Sequence, residues 1–243
     1  MVVFPMGFIK SSVWDPTANL EVYFDISNSS SYPGSGTAIT DLSGNSNDGT
    51  LSGDWSYSSS DSGTIVMGGT NSLVSVTQSS SINFSNISSP ISIVIWVNID
   101  SGYSANDGIW NKEFGGPSYD GIRLLAYTSD AVYLGVNGSS FDSKGSSSTG
   151  TFSTGTWAMI TTVIVGGTSK VYINDNPSPV LSLSTPSQNI PSSTSNLEIG
   201  RDFNGGGSYL AMTWGQFRYY KGTSLTPSNI SELFDADKSK YGL

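Results

Sequence analysis

Hydrophobic and polar positions alternate along this chain in short runs, separated by clusters of Gly, Ser, Asn and Pro. The strongest run is Ile91 to Ile99. Ile91, Ile93, Ile95, Val97 and Ile99 fall on one face of a strand, with Trp96 and Asn98 on the other. Leu20 to Asp25 predicts a first strand. Ile65 to Met67 and Leu73 to Val76 predict two short strands around the turn Gly68-Gly69-Thr70-Asn71. Ile122 to Tyr127 and Ala131 to Val136 flank Thr128-Ser129-Asp130 as a hairpin. Trp157 to Val165 and Ser169 to Asn174 flank Gly166-Gly167-Thr168 as a second. Asn196 to Gly200 predicts a short strand and Tyr209 to Lys221 a long final one. Short strands with turn clusters between them predict an all-β antiparallel β-sandwich.

One helix is predicted, at the C-terminus. Thr226 can cap it and Pro227 can occupy its first turn. Ile230, Leu233 and Phe234 then share a face, and Lys238 and Lys240 follow near the negative end of its dipole. The Ser-rich stretches 56–62, 139–148 and 182–195 read as surface loops. No repeat or internal boundary breaks the pattern, so residues 16–243 read as a single domain and residues 1–15 as an extended N-terminal arm.

Composition narrows the chemistry. The 243 residues include no Cys and no His. Thiol nucleophiles, disulfides, Ser-His-Asp triads and the usual zinc ligand sets are therefore excluded. A formal net charge of −9 disfavours nucleic acid as a partner, because the phosphate backbone attracts basic surfaces. No run approaches the roughly 20 apolar residues that span a bilayer, so no membrane insertion is expected. Met1 to Lys10 is apolar but lacks a basic n-region and a small-residue cleavage site, so the protein is expected to be made and used without a secretory signal.

Asp41-Leu42-Ser43-Gly44-Asn45-Ser46-Asn47-Asp48-Gly49-Thr50-Leu51 has two readings. Its residue types make tight ordered turns, and its crowded side-chain oxygens also suit a hard cation. Together with later segments it resembles the laminin-G-like branch of the concanavalin A-like lectin/glucanase superfamily. Ser92, Trp96 and Val97 match the family's S-x-x-x-W-V strand. Trp157 to Thr161 resembles its W-x-x-V/I strand. Lys170 to Asp175 resembles its Y-V/I-N-G strand and turn, with Asp175 where Gly is usual. Leu197 to Arg201 is similar to L-x-I-G. Gly215 to Tyr220, Leu225-Thr226 and Ile230 to Leu233 resemble the closing strand and helix. The Ser- and Thr-rich, Cys-free style is similar to domains of bacteriophage structural and adsorption proteins.

The resemblance implies a jelly-roll sandwich that binds glycan or protein through loops at one rim, often beside Ca²⁺. Three loops combine an aromatic with Asp and Gly: 101–108, 114–121 and 201–207. They nominate Tyr103, Asp107, Trp110, Tyr119, Asp120, Asp202 and Phe203 for glycan, and Asp107, Asp120 and Asp202 for Ca²⁺. The bland alternative for each loop is an ordinary turn. Trp110, beside two of the loops, is the tryptophan read as exposed, with packing as its alternative. Trp96, Trp157 and Trp214 are read as core.

The superfamily also holds glycosidases, whose retaining members need two carboxyl groups roughly 5–5.5 Å apart. The four Glu residues, Glu21, Glu113, Glu198 and Glu232, form no Glu-x-Asp-x-x-Glu strand, so no enzymatic activity is expected. The arm carries Val2, Val3, Phe4, Met6, Phe8 and Ile9. It reads either as packing on its own domain or as docking onto a neighbouring subunit or another virion protein. The resulting expectation is a non-enzymatic virion surface protein, in the capsid decoration or adsorption apparatus, binding cell-surface glycan as a homo-oligomer. A purely structural virion protein is the alternative, and a carbohydrate-active hydrolase the second.

Overall fold

The computed structural model describes residues 14–84, 89–113, 121–138, 141–184, 195–202 and 208–243. The arm residues Val2, Val3, Phe4, Met6, Phe8 and Ile9 lie outside them, as do Tyr119, Asp120 and Phe203. The strands are β1 (Leu20–Asp25), β2 (Ala38–Ile39), β3 (Gly49–Ser52), β4 (Trp55–Ser58), β5 (Thr64–Gly68), β6 (Leu73–Val76), β7 (Ile91–Ile99), β8 (Asp107–Glu113) and β9 (Gly121–Tyr127). They continue with β10 (Ala131–Gly138), β11 (Phe141–Ser146), β12 (Trp157–Val165), β13 (Thr168–Ile173), β14 (Leu181–Ser184), β15 (Leu197–Ile199), β16 (Arg201–Asp202), β17 (Ser208–Tyr209) and β18 (Ala211–Lys221). Helix α1 (Pro227–Asp237) follows.

Two sheets pack face to face. The first runs β14-β13-β12-β7-β18-β5-β4, with β1 beside β18. The second runs β11-β10-β9-β8-β15-β6-β3-β2, with β16 and β17 docked on β8. Ile91, Ile93, Ile95, Val97 and Ile99 of β7 face the core between the sheets, as their alternation requires. Val94 and Trp96 face outward into a second apolar cluster under α1, where Trp96 stacks on Phe234 and Tyr241 at 5.4 and 4.5 Å. The helix begins as its sequence dictates. The Thr226 hydroxyl accepts from the Asn229 N–H, and the Asn229 side chain accepts from the Thr226 N–H. Ile230, Leu233 and Phe234 are buried against the sheet.

The Asp41–Leu51 run forms an ordered turn that leads into β3. The Asp41 carboxylate accepts the N–H groups of Tyr23, Ser43 and Asn47, and the Asn45 and Asn47 amides donate to the Leu20 and Glu21 carbonyls. Its oxygens and amides tie the turn to β1.

Three expectations are corrected, and one predicted turn is placed. The turn Gly68-Gly69-Thr70-Asn71 is a corner, since the strands on either side of it belong to different sheets. The long final strand is split at Leu210, whose N–H bonds to the Gly200 carbonyl, so Tyr209 lies in one sheet and Ala211 begins the other. The Ser-rich stretches taken as loops contain or overlap β4, β11 and β14. All three end their sheets. Each is held by one neighbour's backbone, and their Ser-rich outward positions mask the few core-facing side chains, such as Leu181 and Leu183 of β14 and Trp55 of β4. Trp110 is fully buried in the main core, not exposed. A bulge between Gly108 and Trp110 in the β8–β9 pairing accompanies the burial of both Ile109 and Trp110.

Candidate functional site

The strand ends after β5, β7, β9, β11 and β13 meet at one rim of the sandwich. There the corner after β5, the β7–β8 loop and β17 enclose a cleft of about 370 Å³. Gly68, Gly69, Thr70, Tyr103, Asp107 and Tyr209 line it, together with Gly102, Ser104, Ser208 and Ala211. The lining is mostly hydroxyl, carboxylate and bare backbone, with two aromatic rings.

Each side chain is positioned by local chemistry. Tyr103 is half-buried. Its hydroxyl donates to the Tyr127 carbonyl at 2.6 Å and accepts the Asp130 N–H at 2.9 Å, which pins the ring to the β9–β10 turn. Burial pushes the Tyr103 phenol up, so it stays neutral. Asn106 takes the left-handed conformation, φ 74°, just ahead of Asp107. The Asp107 carboxylate accepts the Ser104 N–H at 2.6 Å, closing the loop on itself. Burial, with the nearby Asp202 charge, raises the Asp107 pKa, although the Ser104 bond opposes this. Tyr209 lies under the Arg201 guanidinium, 5.6 Å from its ring centroid. A methyl group on Gly108 would sit about 2.0 Å from the Arg201 carbonyl carbon, so only glycine lets β16 close onto β8.

Behind the cleft, the outer face of the second sheet carries a charged row. Ser75, Glu198, Asn111, Arg123, Gly135 and Lys144 are in register from β6 to β11. Asn111 donates to the Glu198 carboxylate and to the Arg201 carbonyl. Glu198 pairs with Arg201 at 3.3 Å, and Asp202 with Arg123 at 3.5 Å. Arg123 also lies 5.7 Å from the Tyr133 ring.

Of the nominated residues, Tyr103 and Asp107 come together in the cleft. Asp202 is fully buried beside Arg123, and Trp110 is in the core. Tyr119, Asp120 and Phe203 lie outside the described residues. Asp107 and Asp202 each already serve a protein partner. Among the described residues no three His, Cys, Asp or Glu side chains converge as a metal site. Asp202 faces the Arg123 guanidinium, and the third nominated Ca²⁺ ligand, Asp120, lies outside the described residues. Tyr209 and Thr70 were missed by the sequence reading. Both adjoin glycine runs, Gly205-Gly206-Gly207 and Gly68-Gly69, but only the pairing of two sheets brings those runs to one rim.

A family profile described as the concanavalin A-like lectin/glucanases superfamily, of laminin-G type, matches residues 68–231. A search of curated proteins found no match. Among solved structures, the chain is similar to the binding domain of the Paraclostridial Mosquitocidal Protein 1, with TM-score 0.70 and 18% identity over 90% of this chain and 52% of that one. It is similar to the botulinum neurotoxin serotype G binding domain, with TM-score 0.71 and 16% identity over 91% and 52%. The chain thus spans about half the length of these toxin domains. It is also similar to domain 4 of AbnA, a GH43 extracellular arabinanase from Geobacillus stearothermophilus, solved in complex with arabinotriose, with TM-score 0.64 and 18% identity over 89% and 98%. At these identities the likeness concerns the fold, and the profile match supplies the family. With its two antiparallel sheets and helix-covered outer face, this chain belongs to the concanavalin A-like lectin/glucanase superfamily.

Proposed function

We propose that this chain is a non-enzymatic, lectin-like domain that binds cell-surface glycan in the rim cleft. The observation that carries the reading is the cleft itself. Two aromatic rings, Tyr103 and Tyr209, share its lining with Asp107, Thr70 and Ser104. A sugar presents C–H faces that pack on aromatic rings and hydroxyls that donate to carboxylates. Fixing the rings beforehand, as the Tyr103 hydrogen bonds do, lowers the entropy lost on binding. The arabinotriose complex of a domain of nearly the same length supports a saccharide as ligand. The hydrolase alternative needs two carboxylates free to flank one bond, whereas Glu198 and Asp202 are each taken up by a guanidinium.

Placement on a bacteriophage particle, held to other virion proteins by the N-terminal arm, is part of the same proposal. It rests on the Ser- and Thr-rich, Cys-free sequence and the apolar arm. Proteomics of purified particles checks that placement.

A glycan array probed with the wild-type chain, Tyr209→Ala and Asp107→Asn tests the binding reading. The wild type should retain a defined set of glycans and both variants should lose them while keeping their far-UV spectrum. A blank array for the wild type would leave the purely structural role.

A further inference from the structure

A second, smaller cleft of about 170 Å³ opens on the same rim, lined by Thr151, Phe152, Ser153, Thr156, Trp157 and Asn174 among others. Its lining, completed by Gly150, Ala158 and Ile173, contains no charged side chain. The aromatic pair Tyr103 and Phe152, with ring centroids 5.9 Å apart, joins the two clefts: Tyr103 lines the first and Phe152 the second.

The pair is built from one turn. Ser129 and Asp130 take left-handed backbone angles, φ 57° and 58°. The Asp130 N–H donates to the Tyr103 hydroxyl, and the Asp130 carbonyl accepts the Thr151 and Phe152 N–H groups at 2.8 and 3.2 Å. The β9–β10 turn therefore holds both rings at once. Further on, Gly155 N–H bonds to the Ile99 carbonyl, and the Asn174 side chain accepts the Met159 N–H, fixing the far wall.

Strand order sets the distance. The first cleft adjoins the ends of β5 and β18 (Gly68, Ala211), and the second adjoins β12 and β13 (Trp157, Ile173), with β7 between. Neighbouring strands are about 4.8 Å apart, so cleft centres three spacings apart lie roughly 14 Å from each other. One sugar ring cannot reach across that span.

Resting on the glycan reading above, we infer that the second cleft is a further subsite, and that the ligand is a neutral oligosaccharide of three or more units laid along the rim. Uncharged walls in the second cleft, a carboxylate in the first and a chain charge of −9 all disfavour uronic or sialylated chains.

The test is calorimetry with ladders of one to six units of arabino-, cello- and malto-oligosaccharides, with oligogalacturonate as the acidic comparison. Thr156 and Ser153 are exposed, so Thr156→Trp and Ser153→Trp fill the second cleft without entering the core. Melting temperature checks that both fold. For a neutral ladder that binds, affinity should rise on the order of tenfold or more between one and three units. Either Trp variant should bring the trimer back to the monomer's affinity and leave the monomer unchanged. Affinity that is flat with length, unaffected by the Trp variants or favouring the acidic ladder overturns the subsite while the first cleft stands. No binding by any ladder together with a blank glycan array overturns the cleft reading, and the subsite with it.

Discussion

Arg218, on β18, and Asp237, at the end of α1, form a 2.8 Å ion pair buried between the sheet and the C-terminal helix. Lys240 bridges Asp237 and Asp25 at 2.9 and 3.0 Å. The Gln216 amide donates to both carboxylates, and the Tyr23 ring stacks 4.7 Å from the Arg218 guanidinium. Two acids and two bases thus neutralise one another where the helix meets the sheet.

Replacing Asp237 with Ala should strand Arg218 in the interior. Breaking one side of a buried pair costs about 3–5 kcal/mol, read as a fall in urea midpoint. Burial alone would raise the Asp237 carboxyl, but the Arg218 charge and the bonds from Arg218 and Lys240 outweigh it and hold the pKa below 3.8. With a depressed folded pKa, the stabilisation is present above 3.8 and is lost as pH falls through the folded value. Wild-type stability should therefore drop in acid below that point, and Asp237→Ala should show a shallower drop.

Asp202→Asn separates structure from metal. If the residue serves Arg123, as the 3.5 Å pair indicates, the variant should melt lower by the same margin in chelator and in Ca²⁺. A deficit seen only in Ca²⁺ would assign Asp202 to a metal instead.

Gly108→Ala tests how the cleft is closed. The added methyl meets the Arg201–Asp202 backbone, which has no rotamer to yield. Overpacking of this kind costs typically 1–3 kcal/mol. Tyr209, which pairs across β16 and bridges to Gly108, should shift with it. Glycan retention should fall further than melting temperature does, as measured on the same array.

Deleting residues 1–12 addresses the arm. Each buried apolar side chain contributes about 1.5–3 kcal/mol, so docking through Val2, Val3, Phe4, Met6, Phe8 and Ile9 is sufficient for moderate affinity. The truncated chain should keep its far-UV spectrum and lose assembly, seen by analytical ultracentrifugation. Unfolding on truncation would place the arm in the domain's own core.

Period-2 alternation over Ile91 to Ile99 was sufficient to predict the central strand, because a strand's faces are set by neighbours one and two residues away. The cap at Thr226 and the two hairpins were legible for the same reason, each being satisfied within a few residues or by a short closure. The Asp41 turn was legible from its residue types, although its amides bond to β1, 25 and 26 residues back. The resemblance in motif order pointed to the jelly roll, and Tyr103 and Asp107 were legible as an aromatic and an acid within one Gly-containing loop. Tertiary structure decided the rest. Trp110 and Tyr103 are seven positions apart and looked alike in sequence, yet one fills the core and the other lines the cleft. That outcome depends on which face of β8 meets the opposite sheet. Asp202 is occupied by Arg123, 79 residues away, and Tyr209 reaches the rim only because the chain changes sheets at Leu210. Contacts set by nonlocal strand pairing leave no periodic trace along the chain, so a site built across several strand ends becomes visible only once the sheets have formed.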